Sequence, residues 1–435
     1  MTIDLTSSQV KTYALTVVLT ALLVVASAVA FNVAVDPYGM YRISDIAGFN
    51  SHKPAIYHRV RLAKAYDVRR IKPRTIILGT SRTHLGIRPS HPAWPADGLP
   101  VYNLAFDGAT TKEMYYYLRH AQSVQPLRRV LLGLDTYHLT NAPGATRPDF
   151  DTQLLLQDRS IWSQAWALLA DIKLLVSYDT ISESIATIRA QAQAPPEWFA
   201  RDGQRLGKVF FHQPWEHFQT SGPRGYFDEI DKQEVGYKLE WRIPQKAARN
   251  AKLSPDSQAD PITSLGYIQH IIEFCRDHNI ELVVYITPSH AHQLEIAAAT
   301  GEWPVIENGK RALVQLLEDD AIKHRDSPAF PLYDFSGYST VTSEDLPPSG
   351  SRVEMRYYWE SSHFKENVGD MVLNRIFGAG AVPRDFGIRL DSGTIDATLL
   401  DIRAQQKTYQ TSHPDDIARI QLEIADYKLT HHIRD

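Results

Sequence analysis

Short runs of apolar, β-type residues alternate along this chain with stretches of helical periodicity, and that alternation limits the possible fold more than any other feature. The run "RTIILGTSR" begins at Arg74, and "LPVYNLAFDGAT", the helical "TKEMYYYLRHAQSV" and "RRVLLGLDTYHL" follow it. Far downstream, "PITSLGYIQHIIEFCRDHN" leads into "IELVVYITPSHAH". After these come the helical "WPVIENGKRALVQLLEDDAIKH", the run "FPLYDFSGY" and the helical "HFKENVGDMVLNRIFG". Strands separated by helices need crossover connections, so they pair in parallel and require helices on both faces. The pattern predicts a three-layer α/β fold on a parallel sheet, with strands at Thr75–Leu78, Val101–Leu104, Val130–Leu134, Leu282–Thr287 and Leu332–Phe335.

Between Thr136 and about Pro261 the rhythm breaks. This stretch, taken as an insertion over about 136–260, carries five of the eight tryptophans: Trp162, Trp166, Trp198, Trp215 and Trp241. Placed after the third strand, it is expected to hang over the carboxyl ends of the strands, where a lid or substrate cleft lies in such sheets. Its tryptophans either stack on sugar rings or build a small core of the insertion's own. The α/β domain is expected over 36–380. Residues 381–435 then form a polar tail with an amphipathic stretch, "IARIQLEIADYKL".

After a short leader, 1–12, no charged residue occurs from Tyr13 to Val35. A helix of that length spans a bilayer core. The rival reading is a cleaved signal peptide, because small residues at Ala26–Ala30 resemble a cleavage site, but the apolar run continues beyond them. An uncleaved anchor is the preferred expectation, with the main domain outside the cytoplasmic membrane on its periplasmic side. The formal charge of −4, from 46 basic and 50 acidic side chains, shows no nucleic-acid footprint. The single cysteine, Cys275, excludes an internal disulfide and lies on an apolar helical stripe that reads as core.

The chemistry-bearing residues fall at strand ends. Ser81 follows the first run across Gly79 and Thr80. A serine hydroxyl is a weak nucleophile without a base, and a turn serine can equally well satisfy backbone groups. The base that suits it is His363 in "ESSHF", with Glu360 three residues earlier. There the carboxylate can hold the Nδ1 proton and leave Nε2 free for the serine, the general logic of nucleophile, base and orienter. Ser361 and Ser362 are alternative orienters. His290, in "ITPSHAHQLE", ends another strand at the same edge and is a candidate substrate contact. His290 and His292 lack a third ligand at a recognisable spacing, so no metal or other cofactor is expected. His84 reads as packing.

"ILGTSR" resembles the first sequence block of the SGNH (GDSL-like) hydrolases, and "ESSHF" resembles their last, which ordinarily reads Asp, two residues, His. With the apolar leader and the "DPYG" after it, the chain is most similar to extracytoplasmic acyltransferase-type members, such as alginate O-acetylation proteins and the D-alanine transfer protein of teichoic acid. The likeness covers about 74–139 and 261–378. It implies Ser81 as nucleophile, His363 as base and Glu360 as orienting acid. It also implies that Gly108, in "NLAFDGAT", gives an oxyanion-hole N–H beside that of Ser81, with Asn103 near the same turn. Two positions depart from the pattern: the final-block acid is Glu, and the third block carries Asp135 where asparagine is usual. A free carboxylate there would oppose an oxyanion. Asp135 therefore points away, orients substrate, or is held by a cation, for which Arg82 is the candidate; Arg82 is equally a candidate for binding an anionic substrate group. The resemblance implies an acyl-serine O-acyltransferase acting on acyl (most often acetyl) esters of an exported or cell-envelope polysaccharide, with a membrane-bound acyltransferase as partner. A carbohydrate esterase, or a non-catalytic polysaccharide-binding or assembly protein of the same fold, are the alternatives.

Overall fold

The computed structural model describes residues 7–156, 161–193, 197–207, 216–241 and 260–433. In chain order its helices begin with α1 (Ser7–Val35), α2 (Val60–Ile71), α3 (Ser81–Gly86) and α4 (Thr111–Val124). The short α5 (Thr152–Leu155) precedes α6 (Ile161–Leu175), α7 (Tyr178–Ala190) and α8 (Glu216–Trp241). Then come α9 (Ser264–Asp277), α10 (Ala291–Ala299), α11 (Trp303–Lys323) and α12 (Glu366–Phe377). The last two are α13 (Ile395–Ser412) and α14 (Pro414–Thr430). They belong to two compact units. One joins the chain up to Asp67 with Asp151–Trp198, and the other joins Val68–Phe150 with Phe199–Asp435.

The second unit carries a six-stranded sheet in the order β2-β1-β3-β4-β5-β6. Strands β1 (Thr75–Leu78), β2 (Val101–Asn103), β3 (Arg129–Leu134), β4 (Glu281–Ile286) and β5 (Leu332–Asp334) are parallel. The strand alternation of two sends Ile77, Leu131 and Val283 to one face, where they cluster with Val368, Val372 and Leu373 of α12. On the other face α4 and α9 pack on each other and on β1 and β4. Burial on both faces explains why these strands read as continuous apolar runs. Cys275 lies on the apolar stripe of α9 and is fully buried.

Two expectations change here. The tail after residue 380 is part of the sheet unit, and β6 (Ile388–Leu390) pairs antiparallel with β5. Its helices bury Ile402 and Tyr409 against Ala291 and Leu294, and Ile420 and Ile424 against Val235 and Leu239. The insertion is likewise not one body. Asp151–Trp198 joins the N-terminal unit, as do residues 36–67. Trp162 and Trp166 build no core, being 74 % and 70 % exposed. Trp198 packs beside Tyr57, with ring centroids 5.0 Å apart, and the side chains of Trp215 and Trp241 lie outside the described residues.

In the N-terminal unit, α1 is long and apolar enough to cross a membrane. Its final turn is built into the unit. Asn32 is fully buried, its Nδ2 donating to Leu175 O at 2.6 Å and its Oδ1 accepting from Ser184 Oγ at 2.6 Å. Lys53 Nζ donates to the carbonyls of Val35 (3.2 Å) and Asp36 (2.9 Å), placing a cation at the helix end where the terminal carbonyls lack partners.

Candidate active site

Ser81 stands where strand order reverses. The chain leaves β1 toward β2 on one side, whereas β3 lies on the other, and the crevice at such a point is where open α/β sheets bind ligands. Thr80 caps α3, its Oγ1 accepting from Arg82 N, which makes Ser81 the first helical residue, partly exposed. The opposite end of α3 is pressed against the segment that carries the histidine. A Cβ on Gly86 would overlap the Phe364 ring, and one on Gly369 would overlap the Gly86 carbonyl. Only glycines permit this approach, and it draws Ser81 toward His363 from 282 residues away in sequence.

The segment "ESSHF" forms a tight loop. Tyr358 and Phe364 form an antiparallel bridge, and Trp359 N donates to His363 O at 2.9 Å. Within the loop Glu360 is fully buried and accepts at Oε2 from Ser362 N at 2.6 Å. Its Oε1 hydrogen-bonds His363 Nδ1. His363 Nε2 lies 2.7 Å from Ser81 Oγ. With the proton of Nδ1 directed at the carboxylate, Nε2 is the acceptor for the serine hydroxyl. Glu360, not Ser361 or Ser362, therefore orients the ring. Ser361 Oγ accepts from Gln293 Nε2 at 2.8 Å, and both Ser362 O and Oγ accept from Arg82, at 2.8 and 2.6 Å.

Asp135 proves to be held. It is 2 % exposed and follows β3 directly, as Thr287 follows β4 and Thr80 follows β1 by two residues. The three carboxyl-terminal ends are adjacent, and their side chains converge. Thr80 Oγ1 donates to Asp135 Oδ2 at 2.6 Å, Thr287 Oγ1 donates to Oδ1 at 2.5 Å, and Arg82 Nη1 pairs with Oδ2 at 2.9 Å. Burial alone would raise this carboxyl, but Arg82, His138 and the two hydroxyls outweigh it and hold it at about 2. Arg82, the residue after Ser81, thus bridges Asp135 and Ser362, the residue before His363. Three of its donors are engaged within the protein, so it serves as a bracket instead of an anion receptor.

The other expected residues separate. Gly108 has φ +61, and a Cβ there would overlap the Arg147 guanidinium. Among the described residues no acceptor takes its N–H or that of Ser81. Asn103 does not face this space. It is fully buried, and its Nδ2 donates to the carbonyls of Thr83, His84 and Ile87 at 3.2, 3.4 and 2.9 Å, closing the end of α3. His290 is also a correction. It is fully buried, its Nε2 donating to Glu344 O at 2.8 Å and its backbone N–H to Ser361 O at 3.1 Å. Burial and the neighbouring His292 keep its ring neutral, at about 3. It supports the His363 loop and offers a substrate nothing. His84 is buried and stacks on Phe199.

Three residues escape sequence reasoning. His138 accepts from Asp135 N at Nδ1 (3.1 Å) and donates from Nε2 to Ala109 O (3.0 Å), tying the Gly108 turn to the end of β3. Arg147 donates from Nε to Gly108 O at 3.3 Å and from its backbone N–H to Glu113 Oε1 at 2.8 Å, while its guanidinium pairs with no carboxylate among the described residues. Glu234 of α8 lies near Arg82, Glu360 and His363; burial raises its carboxyl, as does Glu360, against Arg82 and Lys238. The strand register alone signals Thr80, Asp135 and Thr287, since each sits just past the end of one of three neighbouring strands. Nothing in the local sequence marks Glu234 or Arg147.

No family model and no curated protein matches this chain. Fold and site therefore define its class: an α/β protein with a mostly parallel sheet and an N-terminal apolar helix, bearing a Ser–His–Glu hydrogen-bond chain at the carboxyl edge of the sheet. Such a chain of groups can move the serine proton to imidazole as the oxygen attacks an electrophile.

Proposed function

We propose that the chain is an SGNH-type serine O-acyltransferase, held by its apolar N-terminal helix with the main domain on the periplasmic side of the cytoplasmic membrane. Its substrates would be acyl esters, most often acetyl, and a hydroxyl of an exported or cell-envelope polysaccharide. The observation that carries this reading is the 2.7 Å contact between Ser81 Oγ and His363 Nε2, with Glu360 on the other ring nitrogen. Ser81 attacks the acyl carbonyl as His363 takes its proton, and the N–H groups of Ser81 and Gly108 receive the oxyanion. The tetrahedral adduct collapses to acyl-serine, and His363 returns the proton to the leaving oxygen. In the second half the acceptor hydroxyl gives its proton to His363 as it attacks the acyl-serine, and His363 passes that proton to Ser81 Oγ as the acyl–serine bond breaks.

Glu360 in place of aspartate is accommodated because the tight Trp359–His363 turn brings its longer side chain back onto Nδ1. The clamped Asp135 weakens the case for a non-catalytic binding protein, since its charge is already matched by Arg82 and two hydroxyls. Esterase action differs only in the acceptor, and the resemblance to acyltransferases favours transfer, with a membrane-bound acyl donor protein as partner.

The test uses the full chain in detergent, because α1 ends inside its unit. Parent and Ser81→Ala are incubated with an aryl acetate, and intact mass and aryl alcohol release are recorded. A single acetyl adduct on the parent alone, discharged by added oligosaccharide, supports transfer. Continuous turnover in water by the parent alone supports an esterase. Equal behaviour of the two chains removes Ser81 from the chemistry and leaves a polysaccharide-binding protein.

A further inference from the structure

The first ten residues of α6, Ile161–Ala170, contain no charged side chain. Ile161 (77 %), Trp162 (74 %), Trp166 (70 %), Leu168 (60 %) and Leu169 (54 %) are all exposed. Only Ser163 and Gln164 are polar among these ten residues. So broad an exposed apolar face marks a contact with a membrane or a partner, and two exposed tryptophans about one turn apart exceed the scattered apolar surface normal for a protein in water. What lies next to this helix indicates its surroundings. The far end of α6 is fastened to the apolar α1 through Asn32 Nδ2 and Leu175 O, three residues before α1 ends. A loop carrying the exposed Ile43 and Ile46 is tied to the same end of α1, where Asn50 Nδ2 donates to Ala34 O at 3.0 Å.

We propose that α6 is a second membrane contact, seated in the interfacial layer of the bilayer that α1 crosses. Its length supports this depth. Fifteen residues at a rise of about 1.5 Å make about 22 Å, too short for a hydrocarbon core of about 30 Å. The helix therefore enters one leaflet from the point where α1 leaves it. Tryptophan suits that layer, with an apolar ring and a donor N–H that reaches the headgroups. The charged Asp171 and Lys173 fall at the end of α6 that returns to the protein.

Brominated lipids test the placement, because α1 contains no tryptophan and cannot itself report. The full chain and a W162F/W166F variant are reconstituted into vesicles of phosphatidylcholine and phosphatidylglycerol (7:3), with the phosphatidylcholine either plain or 6,7-dibrominated. Flotation checks that both chains are inserted, and phenylalanine preserves the apolar surface. Two of eight tryptophans are involved, so bromine is expected to quench the parent more than the variant, with complete quenching of these two rings setting an upper limit of two eighths of the emission. Equal quenching of parent and variant overturns the proposal: the face then lies off the lipid and is left for a protein partner.

Discussion

Replacing Asp135 by asparagine tests whether the carboxylate at the strand ends is a matched structural charge or an impaired oxyanion donor. Held at about 2 in the folded chain against an ordinary 3.8, the carboxyl contributes about 2 kcal/mol of stability at neutral pH. The substitution would also leave the Arg82 guanidinium, only 11 % exposed, without its carboxylate. Breaking a buried pair from one side costs about 3–5 kcal/mol. Arg82 keeps its two bonds to Ser362, so the lower end applies: a loss of about 3 kcal/mol, or about 4–5 °C in melting temperature for a unit of this size. The pH dependence has a definite sign. The carboxyl is depressed in the folded chain, so its stabilisation is complete above about pH 4 and falls as pH drops toward 2. About half is gone by pH 3, and the deficit of D135N against the parent should shrink accordingly. Thermal melts of both chains, followed by near-ultraviolet circular dichroism between pH 3 and 7, provide the assay. Arg82→Met is added to complete a double-mutant cycle, in which the double variant should lose less than the sum of the singles. A D135N chain that melts with the parent at pH 7, or strict additivity in the cycle, refutes the clamp. An increase in serine acylation on making D135N would show instead that the carboxylate had opposed the oxyanion.

Gly108→Ala should separate chemistry from folding. Its positive φ and the overlap with Arg147 cost about 1–3 kcal/mol, whereas on the proposed mechanism displacing the Gly108 N–H from the oxyanion lowers the acylation rate by about 10²–10³-fold; a rate unchanged within twofold would remove Gly108 from that role. His292→Gln probes the charge cluster under the C-terminal helices, where His292 Nδ1 lies 2.7 Å from Asp231, with Asp416, Arg419 and neutral His290 around it. Burial would lower this imidazole, but the two carboxylates outweigh burial and hold it at about 9. Its contribution, about 3 kcal/mol, is complete below about pH 6.5 and lost as pH rises through 9, so parent and variant melts should converge by pH 10. A pH-independent gap between them would mean that His292 acts by packing alone.

Local pattern was enough for much of this protein. Apolar runs ending on glycine and small polar residues located β1 to β5 to within a residue or two, because strands buried on both faces admit little else. The capped helix from Thr111 and the apolar stripe that buries Cys275 were legible for the same reason. Glu360 and His363 lie three residues apart, so their pairing is a property of one loop, and Ser81 was marked by its place after a strand. Tertiary structure decided the rest. The three residues after β1, β3 and β4 meet only because of strand order, and that order turns Asp135 from an open question into a clamped charge. Asn103 and His290 have suitable side chains for a site, but packing buried both and used their donors on backbone carbonyls. Asp151–Trp198 left the sheet for the N-terminal unit, and the tail entered the sheet as β6. Periodicity records which face of an element is apolar but not which distant element covers it, and the charge and exposure of a side chain depend on that covering.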